Sequence, residues 1–422
     1  MTSLSTSQYQ NIRQLAAART PGHGLVSRFY GDPIVHQADL ETIWFHGWLF
    51  VGHSCQLKTP GDYLTLQVDS EPVVVIRNDD GRLGAFSNIC RHRGTILCND
   101  TAGHAGRLVC PYHQWTYDRG GQLVSCRGMD DDLDTSTLGL HRFAVEETGG
   151  LVFVSLAATP PPFDVAAQHI GPAATPQGLE RARVAATVDY RVRANWKIVW
   201  ENNRECFHCN ANHPQYILAN FDHYNTDDTS PQIQAAIDAA TQRSQHKWAA
   251  SGLEVTHTRT GMATFPAPGP DGWVAVNRTP LVDGYLSETM NGQQVAPLMG
   301  DYADPDVGTL RMRTMPNFWN HSSCDHSVST RLLPDGPHHT RIQVTWLVDE
   351  SAEADRDYQL EDIMPFWQLT SEQDWAICEN VQRGVTSRHY SPGPLSTAKE
   401  YNVDALFNWY LDQLTTAGRT PP

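Results

Sequence analysis

Two rhythms of apolar and polar positions divide this chain. Between residues 48 and 156 the apolar residues form short runs or alternate with polar ones: Trp48-Leu49-Phe50-Val51, Tyr63-Leu64-Thr65-Leu66-Gln67-Val68, Pro72-Val73-Val74-Val75-Ile76 and Leu151-Val152-Phe153-Val154-Ser155-Leu156. Such runs, bounded by turn formers like Asn78-Asp79-Asp80-Gly81, predict strands. Trp115-Thr116-Tyr117 and Gln122-Leu123-Val124, joined through Arg119-Gly120-Gly121, predict a further hairpin. Residues 159–178, rich in Ala, Pro and Gly, break the pattern and read as a linker. Beyond it a strand over 186–192 runs into a helix that starts near Asn195. Strands are expected again at 327–332 and 340–346, and a helix over about 353–382. Residues 220–310 show no period and take no assignment. The expected organisation is a helical N-terminal segment over 1–39 packed on the second domain, an all-β domain over 40–158, the linker, and a domain over 179–422 with strands beside long helices. The fold class is α+β.

Composition narrows the function. The 422 residues are 40% hydrophobic and 18% charged, with a formal net charge of −16. That balance argues against nucleic acid as a partner, since phosphate binding needs a basic face. No apolar run reaches membrane-spanning length, and Met1-Thr2-Ser3-Leu4-Ser5-Thr6 lacks the marks of a secretory signal. Nine cysteines, an odd number, do not suggest a disulfide framework, so a reducing, cytoplasmic location is expected.

Four cysteines sit beside histidines, and two of these pairs lie on loops between the predicted strands. Cys90-Arg91-His92 and Cys110-Pro111-Tyr112-His113 are separated by seventeen residues. Two thiolates and two neutral imidazoles are the donors of a Rieske [2Fe–2S] centre. The competing assignment is a Cys2His2 zinc site, but zinc clips pair like with like, whereas each clip here mixes one Cys with one His.

A second constellation follows Asn195: Glu205, His208 and His213. Glu205 and His208 are three apart and would share a helix face. His213 lies five beyond His208, about 140° off that face on a regular helix. Both imidazoles reach one metal only if the helix ends or bulges between Cys209 and Asn212. Two histidines and one carboxylate with open positions form the facial triad of non-haem Fe(II) oxygenases. Asp374 is the candidate carboxylate, Glu372 its nearest rival, and a capping box of Ser371 with Asp374 the structural alternative.

Together, C-x-H…C-x-x-H and the carboxylate-x2-His-x4-His run resemble the oxygenase (α) subunit of Rieske non-haem iron oxygenases over nearly the whole chain. That resemblance implies a β-rich Rieske domain and a helix-grip catalytic domain. It implies that Cys90, His92, Cys110 and His113 hold the cluster and that His208, His213 and Asp374 hold the iron. Glu205 would be the acid bridging a neighbouring subunit's cluster to the iron, within a homotrimer. Electrons would come from NAD(P)H through a separate flavin/iron–sulfur reductase. Glu at that bridge, with Met315-Pro316-Asn317-Phe318-Trp319 and Glu379-Asn380-Val381-Gln382-Arg383-Gly384, is similar to the branch acting on quaternary ammonium compounds. The reaction implied is O2-dependent hydroxylation of an N-methyl group, glycine betaine giving dimethylglycine and formaldehyde. Stachydrine, carnitine or choline, or an arene, are the alternatives; so is an electron carrier with a structural second domain. A quaternary ammonium cannot donate a hydrogen bond, so aromatic walls are expected. Phe207, Tyr216, Phe318, Trp319 and Trp367 are the candidates, with His321 and Arg313 for a substrate carboxylate.

Overall fold

The alternating runs pair into three antiparallel sheets. A computed structural model describes residues 4–221, 230–253 and 273–416. Seven strands form the first sheet in the order Leu49–His53, Leu151–Ser155, Arg142–Thr148, Leu83–Ser87, Glu71–Arg77, Asp62–Val68, Ala102–His104. A three-stranded sheet of Leu108–Val109, Thr116–Tyr117 and Leu123–Ser125 sits beside the second Cys-His clip. The second half carries six strands in the order Arg183–Val192, Thr340–Val348, His326–Pro334, Phe318–Ser322, Thr309–Thr314, Val274–Thr279. The helix Pro365–Val385 packs against this half and beside the helix Trp196–Asn203. Helices and antiparallel sheets together make the architecture α+β.

Asn195 starts the Trp196–Asn203 helix as its cap, its side chain accepting from the Lys197 amide. That helix is buried on the N-terminal segment: Asp39 accepts from the Lys197 ammonium, the Trp196 indole and the Tyr410 hydroxyl. A buried charge pair survives only with such additional donors. Arg19 pairs with Asp404, adding a second tie between the N-terminal segment and the C-terminal helix Tyr401–Thr416.

Two expectations need correction, and part of one unassigned stretch is filled. The stretch read as a linker contains the helix Asp164–Ala174, with Ala166, Ile170, Ala173 and Ala174 buried against Leu151, Phe153 and Leu347. Apolar residues at i, i+4, i+7 and i+8 are a helical stripe that the Pro and Gly content obscured. The helix expected at 353–382 runs instead from Pro365, a residue suited to a first turn, to Val385. Ser371 and Asp374 therefore lie inside the helix, and the capping-box alternative falls. The unassigned 220–310 stretch holds the helix Pro231–Ala250, capped by Ser230, while its residues 222–229 and 254–272 lie outside the described ones.

Candidate metal centres

The two Cys-His clips fold alike despite their different spacing. The Cys90 carbonyl accepts from the Gly94 amide and the Cys110 carbonyl from the Gln114 amide, both at 3.0 Å. Cys90 N donates to the Thr95 carbonyl and Cys110 N to the Trp115 carbonyl, both at 2.8 Å. The fourth residue after each cysteine has positive φ, 76° at Gly94 and 61° at Gln114, which turns the chain back so that all four side chains converge. The His92 and His113 rings lie 4.7 Å apart, and His92 stacks on Trp115. Cys90 and Cys110 are buried, and the Nδ1 atoms of His92 and His113 are buried without a hydrogen-bond partner among the described residues. Buried lone pairs of this kind are costly unless something binds them, and a cluster held by two sulfurs and two imidazoles fits. The Tyr117 hydroxyl accepts from the Arg91 amide and lies 3.5 Å from Cys90 Sγ.

The second site departs from the expected helix. The Trp196–Asn203 helix stops before Glu205, and His208 precedes a one-turn helix, Cys209–Asn212. His213 then breaks the path at φ −128°, ψ 66° before the helix Pro214–Ala219. Glu205 and His208 thus share no regular helix face. They meet across a turn, with Glu205 Oε1 2.6 Å from His208 Nδ1. The second break, at His213, swings that imidazole onto the metal side.

Asp374, from the long helix, completes the group. Its Oδ1 lies 3.3 Å from His208 Nε2 and 2.9 Å from His213 Nε2. Two ligands at right angles, each about 2.1 Å from a metal, would stand about 3.0 Å apart. The donor set of two imidazoles and a carboxylate therefore fits a single cation. Burial lowers the His208 pKa, but its bonds to Asp374 and Glu205 win and bring it up to about 10; a bound metal would take that proton's place. Burial also opposes the charge on Asp374, and the two histidines hold its pKa below the usual range. Glu372 points elsewhere, to Tyr190 and Gln368.

Cys209 is a rival donor by position, its sulfur lying within 4.8 Å of the candidate atoms of both histidines. That sulfur is engaged in a disulfide with Cys206, whose Cα is 5.0 Å away, a local bridge that the absence of a cysteine framework did not anticipate.

A cavity of about 70 Å3 opens over this group. Of the residues proposed from the sequence for the substrate, Tyr216, Trp319, His321, Trp367 and Arg313 line it; Phe207 and Phe318 do not. Phe207 is 52% exposed, with Lys399 over its ring. Phe318 precedes Trp319 on a strand, so the pleat sends it to the opposite face, where it packs on Phe50 at 4.2 Å. Cross-strand pairing aligns Arg313 with Trp319 and Arg311 with His321, which puts these four side chains on one face. Burial holds His321 at a pKa of about 4, so it is neutral, with the ionised Glu288 3.9 Å behind it. Residues missed from the sequence include Asn202, which donates to Asp374 Oδ1 at 3.0 Å, and Trp375 in the cavity wall. Asn203, which accepts from Arg313, was missed as well. Trp367, Thr370, Ser371, Asp374 and Trp375 all line the cavity at i, i+3, i+4, i+7 and i+8, a stripe legible once the helix is started at Pro365.

Known proteins resemble the chain in both halves. Residues 47–142 match the family described as Rieske [2Fe-2S] domain, and residues 179–416 match the ring hydroxylating alpha subunit (catalytic domain). The glycine betaine monooxygenase oxygenase subunit of Chromohalobacter salexigens is 38% identical over 398 residues, 94% of this chain and 87% of that protein. A carnitine monooxygenase oxygenase subunit of Acinetobacter pittii is 32% identical over 197 residues, 44% of this chain and 52% of that protein. Among solved structures, the quaternary ammonium Rieske monooxygenase CntA in complex with an inhibitor superposes at TM-score 0.72 with 20% identity, covering 95% of this chain and 98% of that one.

Proposed function

Because the chain belongs to the Rieske-type ring-hydroxylating oxygenase α-subunit family, and is thus a Rieske non-haem iron monooxygenase component, we propose that it N-demethylates glycine betaine. In this reading Cys90, His92, Cys110 and His113 hold the cluster, and His208, His213 and Asp374 hold the mononuclear iron. When bound, the cluster supplies electrons singly and the iron supplies the oxidant for a methyl C–H bond. Oxygen, two electrons and two protons convert one N–CH3 to N–CH2OH with release of water; the N–CH2OH group then breaks its C–N bond to give formaldehyde, a proton and dimethylglycine. No side-chain nucleophile is needed for that collapse. Electrons come from NAD(P)H through a separate reductase.

The observation that carries the substrate reading is the cavity wall. Tyr216, Trp319, Trp367 and Trp375 present aromatic faces to the space above Asp374, which suits a trimethylammonium group. Arg313, on the same sheet face as Trp319, supplies a cation for the substrate carboxylate, with neutral His321 as a polar neighbour. Glu205 is the route by which a neighbouring subunit's cluster reaches this iron, in a homotrimer. Two surfaces support that contact. The cluster tip exposes Val109 and Tyr112, while Phe207, beside Glu205, and Leu369 and Val381, on the long helix, are also exposed. The expected domain boundaries, with the packed helix Asp164–Ala174 in place of a linker, and a cytoplasmic location belong to this reading.

Purified protein with an NADH-dependent reductase, offered glycine betaine, stachydrine, carnitine, choline and an arene, should release formaldehyde fastest from glycine betaine. Faster turnover of carnitine or of an uncharged arene would overturn the substrate. An iron content of two rather than three per chain would overturn the oxygenase assignment of these residues.

A further inference from the structure

The two imidazoles of the iron site are supported from behind by different chemistry. His208 Nδ1 faces the Glu205 carboxylate, whereas His213 Nδ1 faces the side-chain amide of Gln373, 2.8 Å from its Oε1. A carboxylate can only accept there, but an amide can turn either its oxygen or its NH2 to the ring. Which of the two His213 meets decides where the imidazole proton sits.

Three further contacts fix the choice. The Thr370 hydroxyl donates to the Phe366 carbonyl at 2.7 Å, one turn back in the same helix. Its single proton is thereby used, so towards Gln215 it can only accept. Gln215 therefore presents its NH2, with one hydrogen to Thr370 Oγ1 at 2.8 Å and the other to Gln373 Oε1 at 3.0 Å. Gln373 consequently turns its oxygen to both Gln215 and His213, and His213 carries its proton on Nδ1. In the neutral imidazole that a metal binds, the lone pair is then on Nε2, which lies 2.9 Å from Asp374 Oδ1 on the side of the candidate iron site. Gln215, Thr370 and His213 are buried, and Gln373 between them is half-buried.

We infer that Thr370, Gln215 and Gln373 form a tautomer lock, positioning residues that hold His213 ready to bind a metal through Nε2. The inference rests on the reading of His208, His213 and Asp374 as the iron site. Using a neutral amide behind His213 avoids a third carboxylate in a space that already holds Glu205 and Asp374. It also lets one helix supply both Asp374 and, through Gln373 and Thr370, the orientation of the imidazole facing it.

The test uses the full chain with its cluster retained and its mononuclear metal removed, titrated anaerobically with Fe(II) and followed by calorimetry. Gln373→Leu should weaken Fe(II) binding by about 10–100-fold, the range for removing a hydrogen-bond partner of a ligating histidine. Gln373→Glu keeps an acceptor oxygen on Nδ1 and should bind at least as tightly as the wild type. A packing role predicts the reverse order, since Leu keeps the bulk while Glu adds charge beside Asp374. Binding by Gln373→Leu within about threefold of wild type, well below that range, overturns the lock, as does Gln373→Glu binding as weakly as Gln373→Leu. Should Gln373→Leu fail to fold, Gln215→Leu frees the Gln373 amide to turn over and should cost about tenfold, the low end of the same range; unchanged affinity there also overturns it. A wild type that takes up no third iron overturns the site and the lock together, whereas a wild type that takes it up and a Gln373→Leu variant of equal affinity overturn the lock alone.

Discussion

The cluster donors come from two clips of three and four residues, 90–92 and 110–113, each closed by its own backbone hydrogen bonds. The candidate iron donors come from a broken helical stretch and from a helix more than 150 residues later, with 208, 213 and 374 meeting only through tertiary packing. One centre is written in local spacing and stands on loops between short strands. The other is written in the fold, and its quality depends on where two helices end and how they pack. The difference predicts that the two can be damaged separately, and that damage to the second spreads from farther away.

Asp374→Ala is the largest break. Removing that carboxylate should drop iron from three to two per chain and abolish turnover, while the cluster's absorption and reduction by the reductase stay intact. His92→Cys makes the opposite cut. An anionic ligand replaces a neutral one, so the cluster potential should fall towards ferredoxin values with the mononuclear iron retained. If either variant empties both centres, the independence argued above is wrong. Glu205→Gln cuts between them. Its carboxylate supports His208 at 2.6 Å, and as the proposed route to a neighbour's cluster it should lower turnover by more than the roughly 10–100-fold of an ordinary supporting contact, with all three irons in place. Loss of mononuclear iron in this variant would make Glu205 a direct ligand instead.

What could be read from the sequence follows the same division. The strands at 63–68, 72–76, 151–156 and 340–346 and both clips were legible because each is a short-range pattern. Glu205, His208 and His213 stood out as a local constellation, but Asp374 joined them only as a candidate beside Glu372 until the resemblance chose it, since no local rule connects residue 374 to residue 208. Their geometry was not legible: the helix ends before Glu205, and Asn202, Gln215, Gln373 and Trp375 gain their places from packing. Phe318 and Trp319 show the limit most sharply. As neighbours in an aromatic run they looked equivalent, and only the strand pleat separates them. Trp319→Ala should raise KM for the ammonium substrate by about 5–30-fold, from a lost cation–π contact of about 1–2 kcal/mol. Phe318→Ala should leave KM alone and cost about 3–5 kcal/mol of stability as a core cavity. Equal effects on KM would mean that the wall is not the sheet face assigned here.

The gentlest probe of the iron half lies one turn before Glu205. Glu201 sits on the Trp196–Asn203 helix beside Lys197 and Tyr30, and its Oε1 is buried without a hydrogen-bond partner among the described residues. Burial pushes its pKa from 4.5 up to about 8, against the weaker pull of Tyr30 and Lys197. The folded protein therefore holds a proton that the unfolded chain gives up as pH rises above 4.5. Stability contributed by this group is complete at low pH, declines through the window from 4.5 to about 8 and changes no further above it. The slope inside the window cannot exceed about 1.4 kcal/mol per pH unit for one proton. Glu201→Gln is neutral at every pH and removes the slope. The variant's melting temperature, measured against the wild type at pH 5, 7 and 9, should gain progressively up to pH 8 and then hold level. A wild-type-minus-variant difference that stays constant across this range would show that Glu201 is already ionised in the folded protein. Its burial beside Lys197 would then be that of an ion pair, and the helix leading to the iron would be anchored by charge rather than by a protonated core acid.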